Sequence, residues 1–386
     1  MKLLHFSDLH IGMENYGKLN PETGLSSRLV DFFNTFDFIV NLAIKESVDA
    51  VVFAGDAYKT RDPNPTQQRG FGERIKKLAK AGIPTILVVG NHDTPNADGK
   101  ANTLDIYSAL EIDNVWVSRS PEYLKIPTKS GELQVITLPW LHKNDYKTVA
   151  EKILLLYGKI QKDFPTIFLS HAEIEGAAYG SEKGLAIAND VTIPLPLLQD
   201  KRIQYVALGH IHKHQVLSKP KDLPLIVYAG SPQRIDFGEE KEEKGVCLVT
   251  LDQKSASFEF IPTNARKFKT VEVNLKPADL DPTQTILEAI NKSDTKEAIV
   301  RIIINIPADL SAEIQMDQIK KALKEAHYIA GISRNVERKE RLKIEGADEV
   351  ERLTPVEALQ KYFIAKNFSK EKIKEIEKYA AQILES

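Results

Sequence analysis

The N-terminal part of the chain alternates between short apolar runs and longer amphipathic stretches. Leu3–Phe6 runs into Ser7-Asp8-Leu9-His10, Ala50–Ala54 into Gly55-Asp56, and Thr85–Val89 into Gly90-Asn91-His92-Asp93. Runs of this length, rich in β-branched residues and closed by polar clusters, predict buried strands. Between them, Arg28–Ser47 and Thr66–Ala81 carry apolar residues at helical spacing, and Gly82-Ile83-Pro84 closes the second. Strand, helix, strand, helix, strand predicts right-handed crossovers and a largely parallel sheet. The pattern resumes at Pro165–Leu169, Ile203–Leu208 and Leu225–Tyr228. These lead into Ser170-His171, Gly209-His210-Ile211-His212 and Ala229-Gly230-Ser231-Pro232.

Near Asn264–Lys267 the character changes. Strand (Thr270–Leu275), helix (Thr283–Lys292), strand (Ala298–Ile306), helix (Ile314–Ala326) and a strand near Ile332–Val336 predict a small α+β domain. A charged stretch follows Arg341, then Thr354-Pro355 and two helices, the last from Ser369 to Leu384 with Ser369 as N-cap. The expected division is residues 1–265, 266–345 and 346–386.

Composition narrows the options. The 386 residues exceed what most single cores hold, which agrees with more than one domain. Net charge is −2, from 52 basic and 54 acidic side chains, so any nucleic-acid contact must come from local patches. The single cysteine, Cys247, rules out an intrachain disulfide and reads as a small buried strand residue. There is no apolar stretch long enough for a membrane span, and Asp8 follows the start too soon for a secretory signal; the expected location is cytoplasmic.

The candidate chemistry lies at the strand ends. In open α/β sheets ligands bind outside the carboxyl ends of the strands. Asp8, His10, Asp56, Asn91, His171, His210 and His212 all fall there. Mixed His, Asp and Asn donors suit Mn²⁺, Zn²⁺ or Fe²⁺ better than Ca²⁺ or Mg²⁺. Asp56 could bridge two ions, and such a pair clamps a phosphoryl group for in-line attack. Each piece alone more often marks a solvated loop; the ordered set is what carries the signal. Of nine histidines, His5, His142, His214 and His327 stand outside it and read as structural or solvent-facing.

At these residues the chain resembles the calcineurin-like metallophosphoesterases, and within them the SbcD-type nuclease subunits of double-strand-break repair. Ser170–Ala177, Gly209–Lys213, Tyr228–Glu239 and Leu353–Leu359 carry the likeness beyond the ligands. The resemblance implies a sandwich of mixed sheets flanked by helices, with a small α+β capping domain and C-terminal helices. It implies two divalent ions, with Mn²⁺ expected. Asp8, His10, Asp56 and His212 would hold one, and Asp56, Asn91, His171 and His210 the other. His92 would face the phosphate as an acid, with Asp93 orienting its ring; a turn or cap role for Asp93 is the equal alternative. It further implies exonuclease and endonuclease action on DNA at the nucleoid, an SbcC-type coiled-coil ATPase partner docked on the C-terminal helices, and a homodimer.

One departure matters. Relatives often carry a second phosphate-facing histidine after the bridging aspartate, whereas here Lys59 and Arg61 follow Asp56. Either these two supply positive charge to DNA or they belong to a solvated loop. Arg234 is the third candidate DNA contact. Basic clusters at Lys201, Arg202, Lys213, Lys219 and Lys221, and at Arg334, Arg338, Lys339, Arg341 and Lys343, read as solvated faces or phosphate contacts. Ile373, Ile376, Ala380, Ile383 and Leu384 form one stripe, either for the partner or for the chain's own body. Asp31–Ile44, with Phe32, Phe33, Phe36, Phe38 and Ile39, is apolar enough for a dimer contact or for a core helix. A small-molecule or cyclic-nucleotide phosphodiesterase on the same site, and a non-enzymatic scaffold, are the competing functions.

Overall fold

Neighbouring side chains along the central strands are buried on opposite faces, and that double burial dictates the layers. In the computed structural model, elements are numbered in chain order. It describes all residues except 96–98, 142–145, 181–190, 220–223, 309, 311–312, 338–353, 367 and 385–386. His142, Lys221, Arg338, Lys339, Arg341, Lys343 and the expected boundary at 345 therefore lie outside the described residues.

Strands β1 (Lys2–Phe6), β2 (Ala50–Phe53), β3 (Thr85–Val88) and β4 (Val115–Ser118) are parallel. Strands β13 (Gly245–Leu251) and β14 (Ala256–Pro262) extend this sheet antiparallel at the β1 edge. The second sheet runs β11 (Gln215–Val216), β12 (Leu225–Tyr228), β10 (Tyr205–Gly209), β7 (Thr166–His171), β6 (Gly131–Leu138), β5 (Glu122–Thr128). Its four central strands are parallel and its edge strands antiparallel. Leu3, Val52 and Ile86 of the first sheet meet Val135, Ile167, Ala207 and Val227 of the second in one core. Leu4, Val51, Phe53 and Leu87 face the other way, onto helices α1 (Ser27–Lys45) and α2 (Pro65–Lys80). Phe168, Val206 and Leu208 face α4 (Tyr146–Tyr157). The result is a sandwich of two mixed sheets flanked by helices, as expected. Cys247 lies buried in β13. Short elements among the described residues of this part include α3 (Asp105–Ala109), a two-residue ladder of β8 (Glu173–Ile174) with β9 (Thr192–Ile193), and helical turns at Leu195–Leu198 and Phe237–Glu239.

Helix boundaries follow local capping. Asn64 and Gln67 form a capping box before Pro65, so α2 starts one residue ahead of the Thr66 expected. On α1, Leu29, Phe32, Phe36, Ile39, Val40 and Ala43 are buried against the sheet. Phe33 and Phe38 pack on the same core, and a Cβ on Gly70 of α2 would stand 2.2 Å from the Phe33 ring. The core-helix reading of Asp31–Ile44 accounts for Phe32, Phe36 and Ile39, while Phe33 and Phe38 stay half-buried and Ile44 exposed.

After β14 the chain enters a separate core built by parallel strands β15 (Phe268–Asn274), β16 (Ile299–Ile306) and β17 (Tyr328–Val336), with α5 (Pro282–Asn291) and α6 (Met316–Ala322). Helix α6 is shorter than expected because tight turns take over after Ala322. This unit is tied to the start of α1. Arg266 forks onto both carboxylate oxygens of Asp31, each at 2.6 Å, and His327 Nε2 lies 2.9 Å from Ser27 Oγ. The tail forms α7 (Pro355–Ala365) and α8 (Lys370–Leu384), and Ile373 is buried where the two pack. Tyr362, Ile364, Phe368 and Tyr379 are the large apolar side chains this hairpin leaves exposed among the described residues. No described helix is long and apolar enough to cross a membrane.

Phe36 is fully buried between the Phe6 and Phe71 rings, at 5.7 and 5.3 Å between centroids. Phe36→Ala should cost about 3–5 kcal/mol of unfolding free energy, read by urea denaturation of the metal-free protein; a cost under about 1 kcal/mol would contradict this packing.

Candidate metal centre

The strand ends deliver their polar residues to one rim. Asp8 and His10 follow β1, Asp56 follows β2, Asn91, His92 and Asp93 follow β3, His171 ends β7, and His210 and His212 follow β10. The two sheets are pinned there. His171 Nδ1 lies 2.7 Å from the Ala54 carbonyl across the sandwich, and the His210 amide donates to Asp8 Oδ1 at 3.1 Å. The β1 and β2 loops stay paired beyond their strands through Asp8 N to Gly55 O (2.9 Å) and His10 N to Asp56 O (3.1 Å).

The space is tight. A Cβ on Gly90 would fall 2.1 Å from Asp56 Oδ1 and 2.5 Å from the Asp56 amide nitrogen. Gly55, at φ +90°, would place one 2.3 Å from His171 Nδ1. Asp8, His10, Asp56 and His210 themselves adopt positive φ (53°, 45°, 60° and 97°), a conformation that side chains resist and that clusters at functional sites.

All seven expected donors come together, in two groups about one carboxylate. His10 Nε2 and His212 Nε2 are 2.9 Å apart with Asp8 beside them. Asn91 Oδ1 lies 2.9 Å from His171 Nε2 and 3.2 Å from His210 Nδ1. Asp56 Oδ2 stands between the groups, 3.6 Å from His10 Nε2 and 3.4 Å from His171 Nε2.

The electrostatics call for cations. Asp8 and Asp56 are buried, and among the described residues no lysine or arginine pairs with either. Burial pushes the Asp8 carboxyl up. Burial also opposes ionisation of Asp56, but His171, His92 and His10 outweigh it and hold the group well below the carboxylate range. His171 answers in kind: burial opposes its charge, yet Asp56 and Asp8 carry it up to about 9. Imidazole nitrogens and carboxylates converge within 4.8 Å in each of the trios Asp8/His10/His212 and Asp8/Asp56/His171, the Asn91 amide oxygen lies beside the second, and such donors around buried negative charge fit divalent transition ions.

His92 lies at the edge of this group. Its Nδ1 donates to the Lys59 carbonyl at 2.7 Å, and its backbone N–H donates to Asp56 Oδ1 at 2.8 Å. Of the two readings of Asp93, the contact with the His92 ring gives way to the cap. Fully buried Asp93 accepts from the backbone N–H groups of Asp56 (3.0 Å), Ala57 (3.0 Å), Tyr58 (3.4 Å) and Gly90 (3.1 Å). It caps the two loops, and a main-chain carbonyl orients the ring.

Other expectations change too. Arg234 spends its guanidinium on the carbonyls of Ala265 (3.2 Å), Arg266 (3.3 Å) and Glu242 (2.8 Å), so it secures the linker and is withdrawn from DNA. Arg61 is exposed and its Nε donates to the Thr94 carbonyl; Lys59 is half-buried beside His92. His5 is buried against Tyr205, His214 stacks on Phe260 at 4.2 Å, and His327 meets Ser27, all structural as read. One residue was missed. Glu239, fully buried, accepts from His212 Nδ1 at 2.8 Å. It lies in the Tyr228–Glu239 block, but nothing in its local spacing marks a partner for His212.

The family model described as calcineurin-like phosphoesterase matches residues 1–214. The chain belongs to that family. It is a metal-dependent phosphodiesterase by fold and donor set. Three relatives illustrate the likeness. "DNA double-strand break repair protein Mre11" of Saccharolobus solfataricus is 27% identical over 320 residues, covering 79% of this chain and 75% of that one. An SbcCD nuclease subunit of Bacillus subtilis is 26% identical over 269 residues, covering 64% of this chain and 66% of that one. Its namesake from Staphylococcus saprophyticus is 24% identical, covering 72% and 73%.

Gly90→Ala drives a methyl into the Asp56 carboxylate and its backbone, which no rotamer relieves. Mn²⁺ affinity should fall at least tenfold, of the order seen when metal-site supports are removed, measured by titration of metal-free protein; unchanged affinity would show that the rim has slack.

Proposed function

We propose that the chain is a two-metal DNA nuclease of SbcD type, with both exonuclease and endonuclease action. The observation that carries this is Asp56 Oδ2, held within 3.6 Å of one histidine group and 3.4 Å of the other. In this reading Asp8, His10, Asp56 and His212 hold one ion, and Asp56, Asn91, His171 and His210 the other. Mn²⁺ is assigned on the likeness to SbcD-type nucleases; the mixed oxygen and nitrogen donors suit Zn²⁺ and Fe²⁺ as well. Two divalent ions held there would supply Lewis acidity toward a phosphoryl oxygen and a nucleophile at neutral pH.

The protein's own groups do the rest. With the Nδ1 proton committed to the Lys59 carbonyl, the His92 Nε2 is left for the substrate, and when protonated it donates to the leaving 3′ oxygen. Asp93 fixes both loops that carry Asp56 and Asn91. Lys59, beside His92, and exposed Arg61 are the candidate phosphate contacts on this rim.

DNA as substrate rests on the relatives' names and on the parts beyond the sandwich. The small parallel-sheet domain serves as a cap and DNA support. The α7–α8 hairpin, with Tyr362, Ile364, Phe368 and Tyr379 exposed, docks on the coiled coil of an SbcC-type ATPase. A homodimer belongs to the same reading, and the half-buried and exposed apolar residues of α1 are candidates for its contact.

Purified protein with Mn²⁺ should cleave labelled DNA. His92→Asn should lower kcat by about 10²–10⁴ with two ions still bound, whereas Asp56→Asn should lose metal and activity together. Absence of DNA cleavage with and without the ATPase, alongside brisk turnover of a cyclic nucleotide, would assign the site to small substrates. Removing residues 354–386 should abolish co-purification with the ATPase and spare Mn²⁺-dependent cleavage by the isolated chain.

A further inference from the structure

The imidazoles at the rim are not oriented alike. His171 and His92 give their Nδ1 protons to main-chain carbonyls, those of Ala54 and Lys59. His212 instead meets a carboxylate, with Glu239 Oε1 at 2.8 Å from Nδ1. The Nδ1 proton is thereby committed, and Nε2, 2.9 Å from His10 Nε2, faces the centre with its lone pair. A carboxylate behind a ligating histidine fixes tautomer and ring plane and raises ligand basicity.

Glu239 is itself held from several sides. Its Oε2 accepts from buried Lys244 Nζ at 2.9 Å and from the Ile235 amide at 2.9 Å. Lys244 also reaches Glu242 Oε2 (2.8 Å), Ser231 Oγ (2.9 Å) and the His212 carbonyl (3.2 Å). The short helical turn Phe237–Glu239 is gripped by the small domain on both flanks. Phe237 packs on Phe268 of β15, 5.0 Å between centroids, under the Arg301 guanidinium at 4.4 Å. Glu240 accepts from the Thr270 amide (3.0 Å) and hydroxyl (2.6 Å).

We infer that Glu239 is a positioning residue of the metal centre: it aims His212 at its ion, and the small domain holds Glu239 in place. The inference rests on the proposed role of His212 as a ligand. It assigns the small domain a share in building the centre, through a turn that touches both.

The test is titration of the metal-free full chain with Mn²⁺, counting sites and affinities by the free-ion resonance signal, with thermal unfolding of each variant alongside. Glu239→Gln should weaken one of two sites about 10–100-fold and leave the other unchanged. Glu239→Asp keeps the charge beside Lys244 but shortens the reach to His212, so it should weaken the same site even if the Gln variant folds poorly. Glu242→Gln removes the other carboxylate on Lys244 without touching His212, and should leave both sites at wild-type affinity. Thr270→Ala, which loosens the small domain's hold on Glu240, should weaken the same site by a smaller factor. Wild-type affinity in folded Glu239→Gln and Glu239→Asp overturns the inference, as does an equal loss in Glu242→Gln. If His212→Asn also leaves two full sites, the ligand role of His212 fails instead, and the two failures are told apart.

Discussion

The bond from His171 Nδ1 to the Ala54 carbonyl is the contact on which the rim depends. At 2.7 Å it joins the end of β7 to the end of β2 across the sandwich. It commits the Nδ1 proton and turns Nε2 toward Asn91 and Asp56. Sheets whose strand ends approach this closely leave no room for a side chain at residue 55. The same closeness forces Asp8, His10, Asp56 and His210 into positive φ. Strain of this kind costs about 1–3 kcal/mol per residue and persists where the surroundings over-determine it. Here the cross-sheet bond, the Asp8–His210 bond and the Asp93 cap supply that determination.

Charge follows from the same geometry. Two buried carboxylates with histidines as their cationic neighbours form a site that favours added positive charge. In the absence of a metal that charge comes as a proton, which is why His171 rises while Asp56 falls. Glu239 is arranged differently: burial opposes its charge, but His212 and Lys244 hold it down to about 2. The centre thus has a negative inner layer open to cations and an outer carboxylate already satisfied by Lys244.

Much of this was legible along the chain because each donor follows a strand, and a strand ending in glycine or a polar cluster announces itself within six residues. Asp8, His10, Asp56, Asn91, His171, His210 and His212 all have that local signature, and all reach the rim. What escaped depends on distant partners. Glu239 serves a ring 27 positions away. Asp93 read equally as a partner of the His92 ring or as a cap, and only backbone groups of a loop 35 to 37 positions earlier decide for the cap. Arg234 looked like a phosphate contact until the linker carbonyls closed on it. The phenylalanines of α1 served a core or a partner equally well by periodicity; the packing of α2 and the sheet accounts for Phe32 and Phe36 and leaves Phe33 and Phe38 half-buried. Strands β4, β5 and β6 were not anticipated, since Val115–Leu138 carries no His, Asp or Asn donor at its strand ends to mark them.

The central claim is that Asp56 joins two ions in one site. Electron paramagnetic resonance of the metal-free chain reloaded with Mn²⁺ tests it directly. Two ions per chain with an exchange-coupled spectrum, lost together with the bound Mn²⁺ in Asp56→Asn, is the expected result. A single ion per chain, or two whose spectra stay uncoupled in the native protein, would contradict it.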